Sequence, residues 1–310
     1  MVLALPAKIK QSRRRWWQSR RARNQAIAGY VLILPWVVGL VIFTAYPIAA
    51  SAYYSMTDYS ILNEPSWIGL QNYRTMVADP LFWQSLKVTA VFCVIVVPGG
   101  VAVGYLMAVL LNQKIRFLSV WRTIYFLPSI VPAVATSIIW AWIFNQDYGL
   151  ITGFLRPLGL PSPVWFGSTD WVLPAFIIMT IWGCGGNLIL YLAALQQVPT
   201  ELYEAASIDG ARAWQRLIHV TLPMTSPVIL FTLITGTISS FQIFTAGYVI
   251  TNGGPLNASL FYVLYLYRIG WQYYEMGYAS ALAWVLLIIM LGLTLLMFAA
   301  SRRFVYYESS

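Results

Sequence analysis

Between two long apolar runs the chain reads Gln197-Val198-Pro199-Thr200-Glu201-Leu202-Tyr203-Glu204-Ala205-Ala206-Ser207-Ile208-Asp209-Gly210, then reaches Val220-Thr221-Leu222-Pro223. This polar stretch predicts a short capped helix. Pro199 closes the preceding run, Thr200 is placed to cap the new N-terminus, and Glu201 and Glu204 sit where the helix dipole favours negative charge. Ala205 and Ala206 keep one side thin, and Gly210 supplies a left-handed stop. The result is a small, rigid, charged knob of a size that a partner's groove can grip.

What surrounds this segment decides the solvent. Of 310 residues, 59% are hydrophobic and 9% charged, whereas about a quarter of an ordinary soluble domain is charged. A hydrocarbon core about 30 Å thick takes roughly 20 apolar residues per helical span. Six such runs are present, at about residues 26–50, 88–111, 124–144, 171–195, 228–250 and 279–300, and none contains Asp, Glu, Lys, Arg or His. The expected fold is therefore an all-α membrane protein with six transmembrane helices. The first run ends near Ala50-Ser51-Ala52, which resembles a cleavage site. It is too long for a signal's apolar region of about 7 to 15 residues, so an uncleaved span is expected.

Basic residues are retained on the cytoplasmic side of a membrane. With the N-terminus inside, fifteen of the 19 Lys and Arg fall in inner segments, and only Arg74, Lys87, Arg156 and Arg268 fall outside. Both termini are thus expected in the cytoplasm. The domains read as a basic N-terminal segment, 1–25, a transmembrane domain, 26–303, that holds the polar loop 197–223, and a cytoplasmic tail, 304–310. The net charge of +9 is concentrated beside the first span, where Trp16 and Trp17 accompany it. That placement suits orientation and anchoring on anionic lipid rather than nucleic acid.

Several chemistries are excluded or disfavoured. Lys8, Lys10, Lys87 and Lys114 are followed by Ile, Gln, Val and Ile, so no phosphate-binding Gly-Lys-Ser/Thr loop exists. His219 is the only histidine, which rules out a two-histidine metal site and disfavours a Ser-His-Asp triad. No metal or catalytic residue is expected. Cys93 and Cys184 lie in separate spans and read as buried thiols. Spans without ionisable groups disfavour proton coupling and suit a neutral, hydrogen-bonding solute. Gly and Pro at Pro35, Pro47, Pro98, Pro128, Pro132, Gly183, Gly185 and Gly186 permit kinks in the spans.

Two surfaces are candidates for contact with such a solute. In the fifth run Gly236, Ser239, Ser240 and Ile243 recur at helical spacing beside Gln242. In the fourth, Trp182, Gly183, Gly186, Asn187 and Tyr191 do nearly the same. Small residues also let membrane helices approach closely, so spacing alone leaves packing open for each Gly and Ser. Trp182, Tyr191, Asn187 and Gln242 are the better cavity residues, because aromatic faces cover the apolar side of such a solute while amides bond its polar groups.

The pattern Glu204-Ala205-Ala206, three residues, Gly210, nine residues, Val220, one residue, Leu222-Pro223 resembles the EAA loop of ABC importer permeases, with Val for the usual Ile. The segments Trp67-Ile68-Gly69-Leu70-Gln71-Asn72-Tyr73, Leu127-Pro128 through Trp140 to Asp147-Tyr148-Gly149, and Thr251-Asn252-Gly253-Gly254-Pro255 resemble the carbohydrate branch of maltose and glycerol-phosphate type. The resemblance implies a type I importer fold in the cell inner membrane. It makes the loop, with Glu204, Ala205, Ala206, Asp209, Gly210 and Pro223, the contact with an ATPase. It further implies a second permease, two ATP-binding subunits that hold ATP and Mg, and an external solute-binding protein, periplasmic or lipid-anchored. A sugar is the expected cargo. A phosphorylated cargo met by Arg268, an independent channel or carrier, and a membrane enzyme using Glu201, Glu204 and Asp209 are the alternatives.

Overall fold

The computed structural model describes residues 20–113, 115–302 and 305. The basic stretch before Arg20, Lys114, Arg303, Phe304 and the tail from 306 lie outside the described residues. The chain divides into two compact units, Met1–Tyr53 and Tyr54–Ser310. In the first, helix Arg20–Leu40 widens into a π-helical turn, Val41–Ala45, before continuing as Tyr46–Tyr54. Pro47 offers no N–H to the carbonyl of Phe43, and the wider turn accommodates that missing bond.

Within the second unit, helix Pro80–Leu111 is the central post. Its start is well specified: Asp79 accepts a hydrogen bond from the Leu81 N–H at 2.8 Å, and Pro80 occupies the first turn where no N–H is needed. The fourth and fifth spans, Val172–Gln197 and Ala213–Phe241, pack along it. Hydroxyls join these three helices inside the bundle. Tyr105 pairs with Thr225 at 2.7 Å, and Tyr191 donates to Thr232 at 2.9 Å. The two phenol rings meet edge to face at 5.6 Å. Each such bond contributes on the order of 1 kcal/mol net, and losing one partner costs more because the other is left buried.

The third apolar run is not one rod. Helices Leu118–Ile130 and Ala133–Ile143 meet at 100°. Val131 precedes Pro132, whose ring disfavours helical backbone before it, and Val131 is accordingly extended with ψ 131°. The fourth span tightens to a 3-10 segment at Gly183–Asn187. Gly185 is required there, since a Cβ would stand 2.0 Å from the Tyr125 carbonyl oxygen of the third run. Among the described residues five helices are long and apolar enough to cross a membrane, and six if the bent pair is one broken span.

Two further departures from expectation stand out. The fifth helix spans Ala213–Phe241 rather than 228–250, so polar residues before Pro227 are helical and the chain leaves the helix at Gln242. The all-α expectation also misses a small antiparallel hairpin, Thr57–Ser60 with Asn63–Trp67, in which Thr57 faces Trp67. Met276–Ser301, the sixth span, begins against this hairpin, and a Cβ on Gly277 would lie 2.1 Å from the Thr57 carbonyl oxygen. Asp79 fastens the same corner: its Oδ2 accepts from the hydroxyls of Tyr265 and, at 2.8 Å, Tyr278. Burial, reinforced by that hydrogen bond, pushes the Tyr265 phenol well above its ordinary pKa.

Candidate coupling segment and translocation surfaces

The polar segment forms the helix Thr200–Ile208. Pro199 occupies the cap position and Thr200 is the first helical residue. No side chain caps this N-terminus, in contrast to the role expected of Thr200. Glu201 lies in the first turn, where the dipole favours it, and Glu201, Glu204 and Ala205 are all exposed.

At the other end the chain closes as expected. Gly210 has φ +74°, the Gly210 N–H donates to Ser207 O at 3.1 Å, and the Ala211 N–H donates to Ala206 O at 2.9 Å. This pair of bonds is the Schellman arrangement, with the glycine taking the left-handed residue.

Side chains then brace the knob to the start of the fifth span. The Tyr203 hydroxyl lies 3.0 Å from Thr221 Oγ1, and Arg216 donates to Ser207 Oγ at 3.2 Å. Asp209, Gly210, Arg216 and His219 border a recess of about 270 Å³ beneath it. The His219 ring nitrogen Nδ1 is 3.0 Å from the Gln215 carbonyl, consistent with a local structural role for this histidine. Pro223 lies just beyond the π-turn Leu217–Thr221 of the fifth span and lines an apolar groove with Ser301 and Met297.

Ile208, the last residue of the helix, is 87% exposed beside Asp209, and Trp214 is also exposed. An apolar residue closing a polar helix is the sequence signal of this position.

The structure distributes the cavity candidates over different surroundings. Trp182 is 54% exposed, and Asn187, Gly186, Ser239 and Gln242 also face outward. Gly183 has open space around its Cβ position, whereas Gly236 meets Val97 at 3.4 Å and Ser240 is buried. Tyr191 is 1% exposed and commits its hydroxyl to Thr232, so it is part of the bundle's packing in this conformation. The shared face expected of Gly236, Ser239, Ser240 and Ile243 does not extend that far, because the helix ends at Phe241. Likewise the 3-10 segment at Gly183–Asn187 shifts the register of the fourth-span residues on either side of it.

A family model described as "Binding-protein-dependent transport system inner membrane component" matches residues 100–305, which include the whole polar segment. The chain belongs to this family. Among similar proteins, the "Probable ABC transporter permease protein YesP" of Bacillus subtilis is 39% identical over 94% of this chain and 96% of its own length. The "Lactose transport system permease protein LacF" of Rhizobium radiobacter is 34% identical over 92% and 98%. In fold, the chain is similar to the solved structure of a bacterial alginate ABC transporter in complex with an alginate pentasaccharide-bound periplasmic protein. That match has a TM-score of 0.80 at 22% identity, over 91% of this chain and 96% of the other. The protein is therefore a multi-pass transport permease with the type I importer fold.

Proposed function

We propose that this permease carries a sugar or oligosaccharide inward across the cytoplasmic membrane, driven by ATP that separate subunits hydrolyse. The observation that carries this is the exposed helix Thr200–Ile208, closed at Gly210 and braced to the fifth span through Tyr203–Thr221 and Ser207–Arg216. A push on this helix is transmitted to a membrane span rather than absorbed by a loose loop. Glu204, Ala205, Ala206, Asp209 and Gly210 face the ATPase, with Ile208 as an apolar tip and Pro223 within the span that the helix pushes on.

Two ATP-binding subunits hold ATP and Mg, since this chain has no loop for them. A second permease completes the pore, and an external binding protein delivers the solute. Closure of the ATPases on nucleotide moves the helix, and the spans alternate between inward and outward openings. Trp182, Gly183, Gly186, Asn187, Gly236, Ser239, Ser240, Gln242 and Ile243 are the proposed cavity residues, and Tyr191 supports them from behind. Sugar as cargo is supported by the named substrates of similar proteins, such as the lactose permease LacF, and by the absence of ionisable residues from the six apolar runs of the sequence.

Reconstitution tests this. The chain, purified in mild detergent with the proteins that accompany it, is placed in lipid vesicles with ATP inside or outside. Uptake of radiolabelled lactose, maltose or arabinose oligosaccharides that requires ATP on the helix side supports the proposal. Flux through the chain alone without ATP, or no sugar uptake with an active ATPase, contradicts it.

A further inference from the structure

Arg216 borders a second recess besides the one it shares with Asp209. It measures about 290 Å³ and lies where four elements meet: the C-terminal end of Pro80–Leu111, the end of the fourth span, the Thr200–Ile208 helix and the first turns of the fifth span. Pockets that enclose drug-sized ligands begin at about 300 Å³, so this one suits a small group. Its polar lining is Asn112, Gln113, Tyr203, Arg216 and Thr221, with no carboxylate. Asn112 and Gln113 are exposed, and Tyr203 and Arg216 half-buried, so these side chains present surface to a ligand.

Most of the hydrogen-bond donors there are unspent. A guanidinium carries five N–H groups. One of those on Arg216 goes to Ser207 Oγ at 3.2 Å, and the group makes no ion pair among the described residues, Asp209 included. Neither carboxamide, Asn112 or Gln113, has a side-chain hydrogen bond among the described residues. The local charge also has one sign. Residues 88–146 contain no Asp or Glu, yet Lys114, Arg116 and Arg122 follow the central helix closely. The carbonyls at a helix C-terminus disfavour an anion, but Arg122 donates to the Leu111 carbonyl at 3.1 Å and covers that end. The fifth span brings its N-terminus, the positive end of its dipole, to the recess at Ala213. Glu201 and Glu204 line neither recess. A half-buried guanidinium with N–H groups to spare, in a recess without acid, matches the paired oxygens of a phosphate group.

We propose that this recess binds a phosphate group, carried by a soluble phosphate compound or by the headgroup of an anionic phospholipid. Arg216 takes its oxygens from one side, and the Asn112 and Gln113 carboxamides donate from the end of the central helix. Arg216 also braces Ser207, so the bound phosphate ties the Thr200–Ile208 helix to the central post. The site is therefore regulatory: its occupancy sets how firmly that helix is held when a partner pushes on it. This role rests on the helix docking on an ATPase, whereas the binding itself does not, and it involves none of the cavity residues.

Hydrogen–deuterium exchange of the full chain in nanodiscs tests the binding. In discs of phosphatidylcholine, inorganic phosphate is compared with chloride at equal ionic strength. In a second set phosphatidylglycerol replaces part of the phosphatidylcholine, and no phosphate is added. A ligand at ten times its dissociation constant slows exchange through local opening about tenfold. That slowing is expected in peptides covering 109–113 and 203–221 in at least one set. Slowing by inorganic phosphate assigns the site to a soluble compound, and slowing by phosphatidylglycerol alone assigns it to lipid. Gln113→Glu, which puts a carboxylate where an exposed amide stood, should abolish the effect, as should Arg216→Gln. If Arg216→Gln does not fold, Gln113→Glu decides alone. No slowing in either set, equal slowing by chloride, or slowing that a folded variant retains would overturn the site, while the vesicle uptake assay decides the transport reading separately.

Discussion

Gly210→Ala isolates backbone conformation from every other effect. Nothing lies within 4 Å of the position its Cβ would take, so the substitution creates no clash. The cost arises from φ +74°, a left-handed conformation that disfavours L-residues by roughly 1–2 kcal/mol. One or two kcal/mol changes an equilibrium about 5- to 30-fold. The closed helix end, held by Gly210 N–H to Ser207 O and Ala211 N–H to Ala206 O, should lose population by that factor against frayed forms. Asn visits the left-handed region more readily, so Gly210→Asn should fall between wild type and Ala. In vesicles with the partner subunits, sugar moved per ATP hydrolysed is expected to rank wild type, then Asn, then Ala, with the amount of chain in the membrane unchanged. Equal coupling in all three, or Asn worse than Ala, would refute the role of this turn.

Other perturbations separate packing from transport. Gly185→Ala should destabilise the chain by about 1–3 kcal/mol or more, because a Cβ would enter the Tyr125 carbonyl at 2.0 Å. Gly183→Ala, two residues earlier with open space, should change stability by less than about 0.5 kcal/mol, and thermal unfolding in detergent compares them. Asp79→Ala strands the Tyr265 and Tyr278 hydroxyls and removes a helix cap. A loss of about 3 kcal/mol, read by the same melts, is expected. Tyr191→Phe should cost about 0.5–1.5 kcal/mol and leave the sugar concentration for half-maximal uptake unchanged. A shift in that concentration would return Tyr191 to the cavity.

The spans were legible because hydrocarbon demands length and apolarity, and both are properties of contiguous sequence. The helix at Thr200 and its stop at Gly210 were legible for a similar reason, since a proline before a helix and a left-handed glycine after it act within a few residues, although the side-chain cap expected of Thr200 is absent. What escaped notice depends on distance. Pro132 marks a place where the third run can bend, but its neighbours decide that the bend reaches 100°. The fifth helix starts at Ala213 because Tyr203 and Ser207, on the preceding helix, hold its polar first turns. Tyr191 carries the same side chain whether it lines a cavity or bonds Thr232, and only the position of the fifth span distinguishes the two. The recess beside Arg216 joins that part of the chain to Asn112 and Gln113, and no local pattern announces it.

The central claim, that Thr200–Ile208 docks on an ATPase, is tested most directly at its exposed tip. Cys93 is buried and Cys184 lies within a span, so Ile208→Cys adds a single reactive thiol at the helix end. Treated with a short bifunctional crosslinker in native membranes, it should join a polypeptide that binds ATP, with a yield that changes when nucleotide is added. An Ile208→Cys chain that crosslinks to no ATP-binding protein, while transport in the same membranes persists, would contradict the account.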